Sequence, residues 1–361
     1  MTTLAMADSV LRRALEEIRP VDRDAAAAAR RHIDSLTKPL GSLGRLEEVA
    51  ERLAAIQGGP PSAASKALVI FAGDHGVAAR GVSAYPAAVT PQMVLNFVRG
   101  GAAANALARQ AAATVTVVDV GVDYDFGEVA GLESRKVRRG TRDLCAEDAL
   151  TGEECLRAME IGIEFARLHA ARGVDCLIAG EMGIANTTAA TAIFCALYGI
   201  APADIVGRGT GIDDPGLLRK CEAIELALER HGARGGAGKS DPLEILTSLG
   251  GYEIAAIAGF TIGAAASRVA LVVDGFIATA GAAIAIALDA RVRDFLFFGH
   301  RSSERAHGAV LQRLDARPLL DLDMRLGEGT GALLASHLLE AACRIYAEMA
   351  TFTGAGVSER L

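Results

Sequence analysis

The chain of 361 residues contains no tryptophan, and aromatic residues make up only 4% of it. Binding that depends on stacking bases against aromatic side chains is therefore disfavoured. Positive charge is not concentrated either, because the formal net charge is −7 and the short basic run at 135–139 is typical of a solvated surface. These features argue against a nucleic-acid partner.

Cysteine pairs at metal-binding or redox spacing are also missing. The six cysteines are scattered along the chain without a C-x-x-C pair. This usage indicates idle thiols in a reducing compartment, not a disulfide framework or a zinc site. We therefore expect no metal centre.

No stretch is long and apolar enough to predict a membrane span. The longest apolar run, 275–288, is rich in alanine and glycine and predicts a buried helix. The first residues mix Asp8, Arg12 and Glu16 into the apolar positions, unlike a signal peptide. Since 51% of the residues are hydrophobic, a large core is possible, and we expect a soluble, cytoplasmic protein.

From residue 67 onward, apolar runs of strand length alternate with helical patterns, and polar glycine turns follow the strands. The predicted strands lie at 67–72, 115–120, 176–179, 203–206, 270–273 and 295–298. This alternation predicts an α/β fold with a Rossmann-like, mainly parallel sheet flanked by helices. The two ends of the chain show helical periodicity only. We predict a small helical domain from residues 1–60 and 321–361, and a large α/β domain from residues 61–320.

The stretch 174–190, VDCLIAGEMGIANTTAA, reads as a strand, a glycine turn and a hydroxyl-rich helix start. Such a turn lies at the carboxyl end of a parallel strand, where ligands bind and a helix N-terminus attracts anions. An ordinary turn capped by Asn186 or Thr187 explains most of these residues equally well. It does not explain Glu181, since an acid in a phosphate-suited turn is useful only towards sugar hydroxyls or a base.

A second glycine turn, Leu326-Gly327-Glu328-Gly329-Thr330-Gly331, precedes an apolar helix. Flanking glycines let a ligand approach the backbone closely. Burial against an apolar ring would raise the pKa of Glu328, which suits a general base. A capping acid in a glycine turn is the alternative.

Three further motifs leave alternatives open, and a fourth predicts a helix start. The run GARGGAGKS at 232–240 lacks the glycine that a P-loop needs at Ala233, so a mobile loop is favoured. Asp74 and His75 follow a strand, where a structural histidine is favoured over a catalytic pair or metal ligands. Ser302 and Ser303 suit either phosphate binding or a helix cap. Thr90-Pro91 predicts another helix start.

Taken together, these stretches resemble the nicotinate-nucleotide–dimethylbenzimidazole phosphoribosyltransferase family. The resemblance runs in family order over nearly the whole chain. Its segments are KPLGSLGRL at 38–46, GDHGV at 73–77, GVSAYP at 81–86, GEMGIANTT at 180–188, GTG at 209–211, GGYEIA at 250–255, DGF at 274–276 and GEGTG at 327–331.

The resemblance implies transfer of phosphoribose from nicotinate mononucleotide to dimethylbenzimidazole, with inversion at the anomeric carbon, for the lower ligand of cobalamin. It implies no cofactor and a homodimer. Glu328 falls on the general base of the family. The implied substrate-binding residues are Glu181, Gly183, Asn186, Thr187 and Thr188 in the donor loop, Gly209, Lys220, Ser302 and Ser303 near the phosphate and ribose, and Ser83, Gln92 and Met93 near the base pocket.

Two other function classes remain in view. A non-catalytic carrier or sensor of nucleotides would bind without turnover, but it would leave Glu181 and Glu328 unexplained. An NAD-dependent dehydrogenase is disfavoured because no G-x-G-x-x-G follows an early strand. The preferred base stays open, since a pocket discriminates similar apolar rings by only about 1–3 kcal/mol.

Overall fold

The computed structural model describes residues 9–209, 211–232 and 241–358, and its centre is a six-stranded parallel sheet in the order β3-β2-β1-β4-β5-β6. This is the strand order of doubly wound Rossmann folds, and it confirms the predicted fold class. The strands are β1 Lys66–Gly73, β2 Ala113–Gly121, β3 Leu132–Ser134, β4 Cys176–Met182, β5 Ala270–Val273 and β6 Leu296–Phe298. Two short strands, β7 His300–Arg301 and β8 Leu320–Asp321, form a separate parallel pair.

Helices cover both faces of the sheet. They are α1 Val10–Glu17, α2 Arg23–Ser35, α3 Arg45–Gln57, α4 Val89–Val98, α5 Ala103–Gln110, α6 Gly152–Ala171, α7 Asn186–Tyr198, α8 Pro202–Ile205, α9 Asp214–His231, α10 Pro242–Leu249, α11 Tyr252–Ala266, α12 Phe276–Leu288, α13 His307–Arg313, α14 Thr330–Glu348 and α15 Phe352–Ala355, with 3₁₀ turns at Gly76–Arg80 and Ala290–Phe295. In the part of the chain described, no helix has the length and apolar character that crossing a membrane requires.

Close helix packing accounts for the wealth of glycine. A Cβ on Gly162 of α6 would lie 1.9 Å from the Ala256 carbonyl oxygen, and one on Gly259 of α11 would lie 1.9 Å from the Met159 carbonyl oxygen. The backbones of α6 and α11 therefore touch where no side chain fits. Beneath them, the buried strand β1 packs Phe71 edge-on against Phe165 and Phe260.

The helical ends of the chain pack against the sheet and against each other. Lys66 at the start of β1 forms an ion pair with Glu340 of α14 at 2.7 Å. Before and within α3, the buried pair Lys38–Glu47 spans 2.8 Å, and Glu47 also accepts the Leu43 N–H. The division into 1–60 plus 321–361 and 61–320 remains a prediction.

Two local predictions were wrong. Residues 203–206 belong to helix α8 and its cap instead of a strand, because Pro202 occupies the first helical position and favours helix there. Helix α4 begins at Val89, so Thr90 lies inside its first turn and is not its cap. The hydroxyl of Thr90 instead accepts the N–H of Ile184 at 3.1 Å. The rejected P-loop run falls largely at 233–240, outside the described residues.

The topology itself positions a site. Strands β1 and β4 are neighbours at the centre of the sheet, and the chain proceeds outward from them in opposite directions. Ligands bind at such a switch point, outside the carboxyl ends of the strands. Asp74 and His75 follow β1, Glu181 lies near the end of β4, and Asp274 follows β5.

Candidate active site

A cavity of about 380 Å³ opens at the carboxyl ends of β4 and β5. Its volume lies in the range of small-molecule sites, about 300–1,000 Å³. The turn at 327–329 forms part of its wall, so the two glycine turns singled out in the sequence meet at one place. Eight predicted site residues line it: Met93, Glu181, Gly183, Asn186, Thr187, Gly209, Ser302 and Glu328.

Glu328 projects from a turn of three consecutive left-handed residues. The φ angles are +86° at Gly327, +62° at Glu328 and +84° at Gly329. A positive φ is costly for glutamate, so the surroundings must hold this conformation. The carboxylate is buried, and its Oε2 accepts the N–H of Ala104 at 3.2 Å, in the first turn of α5. The positive end of that short helix thus faces the carboxylate.

Asp274 fixes the turn from behind. Its Oδ2 accepts the Gly329 N–H at 3.2 Å, and its Oδ1 accepts the Ala332 N–H at 2.9 Å. Both donors lie at the start of α14, so Asp274 satisfies backbone groups that a helix leaves unpaired. The hydroxyl of Thr330 adds a 2.7 Å bond to the Gly327 carbonyl. Sequence reasoning assigned Asp274 no role, although a polar residue directly after a buried strand is a usable signal.

Gly180 in β4 allows the turn to pack against the sheet. A Cβ at this position would lie 2.7 Å from the Glu328 carbonyl oxygen and 3.0 Å from its carbonyl carbon. Those are backbone atoms, so the turn itself would have to move. The position of Glu328 therefore requires glycine at residue 180 of β4, because any side chain there would displace the turn.

We expect Gly180→Ala to lower kcat by about 100-fold, because shifting a catalytic group by about 1 Å has effects of that size. Steady-state kinetics will measure the loss, and circular dichroism will check that the fold is retained. The matched control is Gly59→Ala, where a Cβ meets nothing within 4 Å. Full activity of Gly180→Ala would show that the turn does not need this contact.

The ionisation of Glu328 suits proton transfer. Burial raises the pKa of its carboxyl above the usual range, the Ala104 N–H opposes that rise, and the charge of Asp274 adds to it. A carboxylate that holds a proton more tightly than an exposed one is a better general base.

Glu181 lines the same cavity as Glu328. Its Oε2 accepts the Asn186 amide at 2.5 Å. A Cβ on Gly327 would lie 2.2 Å from Glu181 Oε1, so the two turns are in contact. Burial, with the nearby charge of Asp274, raises the pKa of Glu181 to about 8, against the hydrogen bond from Asn186.

The predicted cap of α7 was wrong. Helix α7 starts at Asn186, and the capping position is taken by Ala185 at φ 73°. Neither Asn186 nor Thr187 caps the helix, so their side chains are free for other partners. Asn186 binds Glu181, and Thr187 turns towards Lys220.

Lys220 supplies positive charge behind the cavity wall. It is fully buried, and its Nζ donates to Thr187 Oγ1 at 2.7 Å and to the Gly207 carbonyl at 3.2 Å. Gly209 lies against the same ammonium group, since a Cβ on Gly209 would lie 3.3 Å from Lys220 Nζ. Burial lowers the pKa of Lys220 to about 8, with the charge of Glu304 opposing the shift. An ammonium group beside the first turn of α7 favours an anion here.

Ser302 and Ser303 have separate environments. Ser302 lines the cavity, and its N–H donates to His307 Nδ1 at 2.8 Å. The Ser303 hydroxyl donates to the Asp323 carbonyl at 3.1 Å. Helix α13 begins only at His307, so neither serine is its cap. Burial lowers the pKa of His307 to about 3, with the charges of His300 and Arg301 adding to the shift. The neutral ring accepts at Nδ1, and its Nε2 pairs with Thr279.

The remaining predicted residues lie around the cavity without lining it. Gln92 lines a neighbouring cavity of about 740 Å³, and Ser83 accepts the Tyr85 N–H at 3.3 Å. Thr188 is fully buried in α7. His300, Glu304 and Arg325 line the cavity and were not singled out as ligands.

Within 9–209, 211–232 and 241–358, no three His, Cys, Asp or Glu side chains are grouped as metal ligands would be.

Comparisons with known proteins give matches over nearly the whole chain. A family model described as phosphoribosyltransferase matches residues 18–357. The nicotinate-nucleotide–dimethylbenzimidazole phosphoribosyltransferase of Chloroflexus aggregans is 52% identical over 353 residues, which cover 98% of this chain and 99% of that protein. The protein of the same name from Geobacter sulfurreducens is 50% identical, covering 97% and 99%. The crystal structure of CobT from Thermus thermophilus superposes with a TM-score of 0.89 at 50% identity, covering 93% of this chain and all of that one.

Proposed function

The chain belongs to the nicotinate-nucleotide–dimethylbenzimidazole phosphoribosyltransferase family, and we propose that it transfers 5-phosphoribose from nicotinate mononucleotide to 5,6-dimethylbenzimidazole. The products are nicotinate and α-ribazole 5′-phosphate, which serves the lower ligand of cobalamin. The observation that carries this proposal is the meeting of Glu181 and Glu328 at one cavity whose lining also includes Thr187 and Gly209.

The acceptor half of the site is built around Glu328. One ring nitrogen of the benzimidazole attacks the anomeric carbon, and Glu328 takes the proton from the other ring nitrogen. The bond from the anomeric carbon to the nicotinate nitrogen breaks, and its electron pair leaves with nicotinate. Val89, Met93 and Leu326 give the cavity an apolar wall for the bicyclic ring.

The donor half contains Glu181 and, beside it in the fold, Lys220 with its neighbours Thr187 and Gly209. Glycosyl transfer passes through a state with positive charge on the sugar. Ionised Glu181 stabilises that charge, while Lys220, Thr187 and Gly209 hold the 5′-phosphate. This division gives each of the two glycine turns its own task.

We expect Lys220→Met to raise the KM for nicotinate mononucleotide about 10- to 100-fold, since a hydrogen bond to a charged group contributes about 1.5–3 kcal/mol. The two proteins are compared at pH 7, below the pKa of about 8, where Lys220 carries its charge. The control is the unphosphorylated donor, nicotinate riboside, whose KM should be the same in both proteins. An equal loss with both donors would contradict a phosphate role.

The transferase activity is tested by incubating the purified chain with both substrates. We expect nicotinate and ribazole phosphate in equal amounts, without added metal. Tight binding of either substrate by calorimetry with no product would identify a carrier or sensor and contradict the proposal.

We further propose that the protein works as a cytoplasmic homodimer. Leu40 and Leu322 are large apolar side chains that are 71% and 54% exposed, which is compatible with a protein contact surface. Sedimentation equilibrium of the purified chain tests the dimer, and a monomer at micromolar concentration would contradict it.

A further inference from the structure

A buried ion pair lies beside the donor turn, and neither of its residues lines the catalytic cavity. His75, which follows β1, contacts Glu253 in the first turn of α11, with Nε2 and Oε1 2.6 Å apart. Neither side chain has any exposed surface. Burial alone would lower the pKa of His75, but the charge and the hydrogen bond of Glu253 outweigh burial and raise it. The contact with Glu253 therefore favours the protonated form of His75.

Backbone glycines enclose this pair on several sides. A Cβ on Gly183 would lie 3.4 Å from both Glu253 Oε1 and His75 Cδ2. One on Gly251 would lie 2.3 Å from His75 Cε1, and one on Gly73 would lie 3.0 Å from Glu253 Oε2. The pair thus lies behind Gly183 together with the Gly73 carbonyl oxygen, which would be 2.4 Å from a Cβ on Gly183. Gly183 also lines the cavity.

Gly183 is held from both directions. The ion pair packs behind it, and the N–H of the next residue, Ile184, donates to Thr90 in α4. A turn supported in this way cannot move away from a ligand without displacing the end of β1 or the buried pair. Removing one partner of a buried pair is strongly destabilising, because it leaves the other charge buried and uncompensated.

The charge of Glu253 also acts on Glu181 in the donor site. The charges of Asp274 and Glu253 both hinder ionisation of Glu181, while the Asn186 amide and the Glu328 backbone N–H favour it. His75 is the cation in contact with Glu253 among the described residues, and Asp74 is the second acid acting on His75. A positive charge on His75 therefore offsets the charge that Glu253 presents to Glu181.

We propose that the His75–Glu253 pair is a positioning element of the donor site, which holds Gly183 towards the phosphoribosyl group and offsets the charge of Glu253 at Glu181. This inference rests on the proposed function. Neither residue lines the catalytic cavity, so both act through Gly183 and Glu181.

Two single variants test the proposal, because their electrostatic effects have opposite signs. His75→Gln removes the positive charge, so the ionisation of Glu181 should move to higher pH by at least about half a unit. Glu253→Gln removes the negative charge, so the ionisation should move to lower pH by a similar amount. Both variants should raise the KM for nicotinate mononucleotide at least 5-fold and leave the KM for dimethylbenzimidazole unchanged.

The Glu181 titration is followed by ¹³C NMR of the carboxyl group in the substrate-free protein, assigned with Glu181→Gln, and by the pH profile of kcat/KM for the donor. The NMR readout needs no turnover, so an inactive wild type would count against the proposed function alone. The double variant His75→Gln/Glu253→Gln leaves the net charge of the pair unchanged. In this variant Glu181 should therefore ionise at nearly the same pH as in the wild type.

A purely structural pair gives a different pattern. Both single variants would then lose thermal stability, while the Glu181 titration and the two KM values stay at their wild-type positions. That result overturns the proposal, as do shifts of the same sign in both variants. If one variant fails to fold, the other single variant and the double variant still decide the sign.

Discussion

Replacing Glu328 by glutamine is expected to lower kcat by about 10²- to 10⁴-fold, the usual contribution of a positioned general base. Glutamine keeps the shape and can still meet the Ala104 N–H through its amide oxygen, but it cannot take a proton. Substrate affinities should therefore change little, and calorimetry with each substrate will measure them. Near-normal turnover would remove Glu328 from the role of base.

The pH profile gives an independent check on Glu328. The base is active when ionised, so activity is present above its pKa and is lost as the pH falls through it. Because burial raises that pKa, the acid limb of kcat/KM for dimethylbenzimidazole should lie above the ordinary glutamate range of about 4.3. The limb should vanish in Glu328→Gln and persist in Glu133→Gln, an exposed glutamate on β3. A limb that survives in Glu328→Gln would belong to another group.

Replacing Glu181 by glutamine is the second large change. Preorganised charge aimed at a transition state contributes about 10²- to 10³-fold in rate. In the free protein the pKa of Glu181 is about 8, and kcat/KM reports ionisations of the free enzyme. We therefore expect kcat/KM for nicotinate mononucleotide to rise between pH 6 and pH 9 in the wild type. The glutamine variant should be lower, by about 10²-fold at pH 9, and should lack this rise.

The opposite profile would reverse the role of Glu181. If the donor's kcat/KM fell as the pH rose through 8 in both the wild type and Lys220→Met, the protonated carboxyl would be the working form and would act as a hydrogen-bond donor. Glu133→Gln, at the exposed glutamate on β3, is a suitable control, because Glu133 does not line the cavity. A rise through pH 8 should persist in that variant.

Much of the fold could be predicted from the sequence because buried parallel strands leave continuous apolar runs. Strands β1, β2, β4, β5 and β6 overlap the predicted runs. Strand β3, at Leu132–Ser134, is only three residues long and carries little apolar signal. The run at 203–206 is apolar enough for a strand, but the proline before it favours the helix that forms.

The site could be predicted only in part. The turns at Glu181 and Glu328 are visible because an acid among glycines has no ordinary structural use. Their meeting is not visible, since it depends on Gly180 in β4 and on Asp274 after β5, which lie far apart in the sequence. The Ala104 N–H that faces Glu328 has no sequence signal at all, because every non-proline residue carries one.

The burial of these charged groups could not be predicted from the sequence either. Lys220 lies in an ordinary amphipathic helix pattern, and only the fold shows that its ammonium reaches Thr187 behind the cavity. The contact between His75, which follows β1, and Glu253 in α11 joins residues that no local pattern relates.

The configuration of the product tests the central claim most directly. With Glu328 as the base for an attacking benzimidazole and Glu181 only stabilising charge, displacement occurs in a single step and inverts the anomeric carbon. Proton NMR of ribazole phosphate made by the wild type from β-nicotinate mononucleotide should show the α anomer alone. The β anomer, or a mixture, would require a covalent or free sugar intermediate and would contradict this division of roles between Glu181 and Glu328.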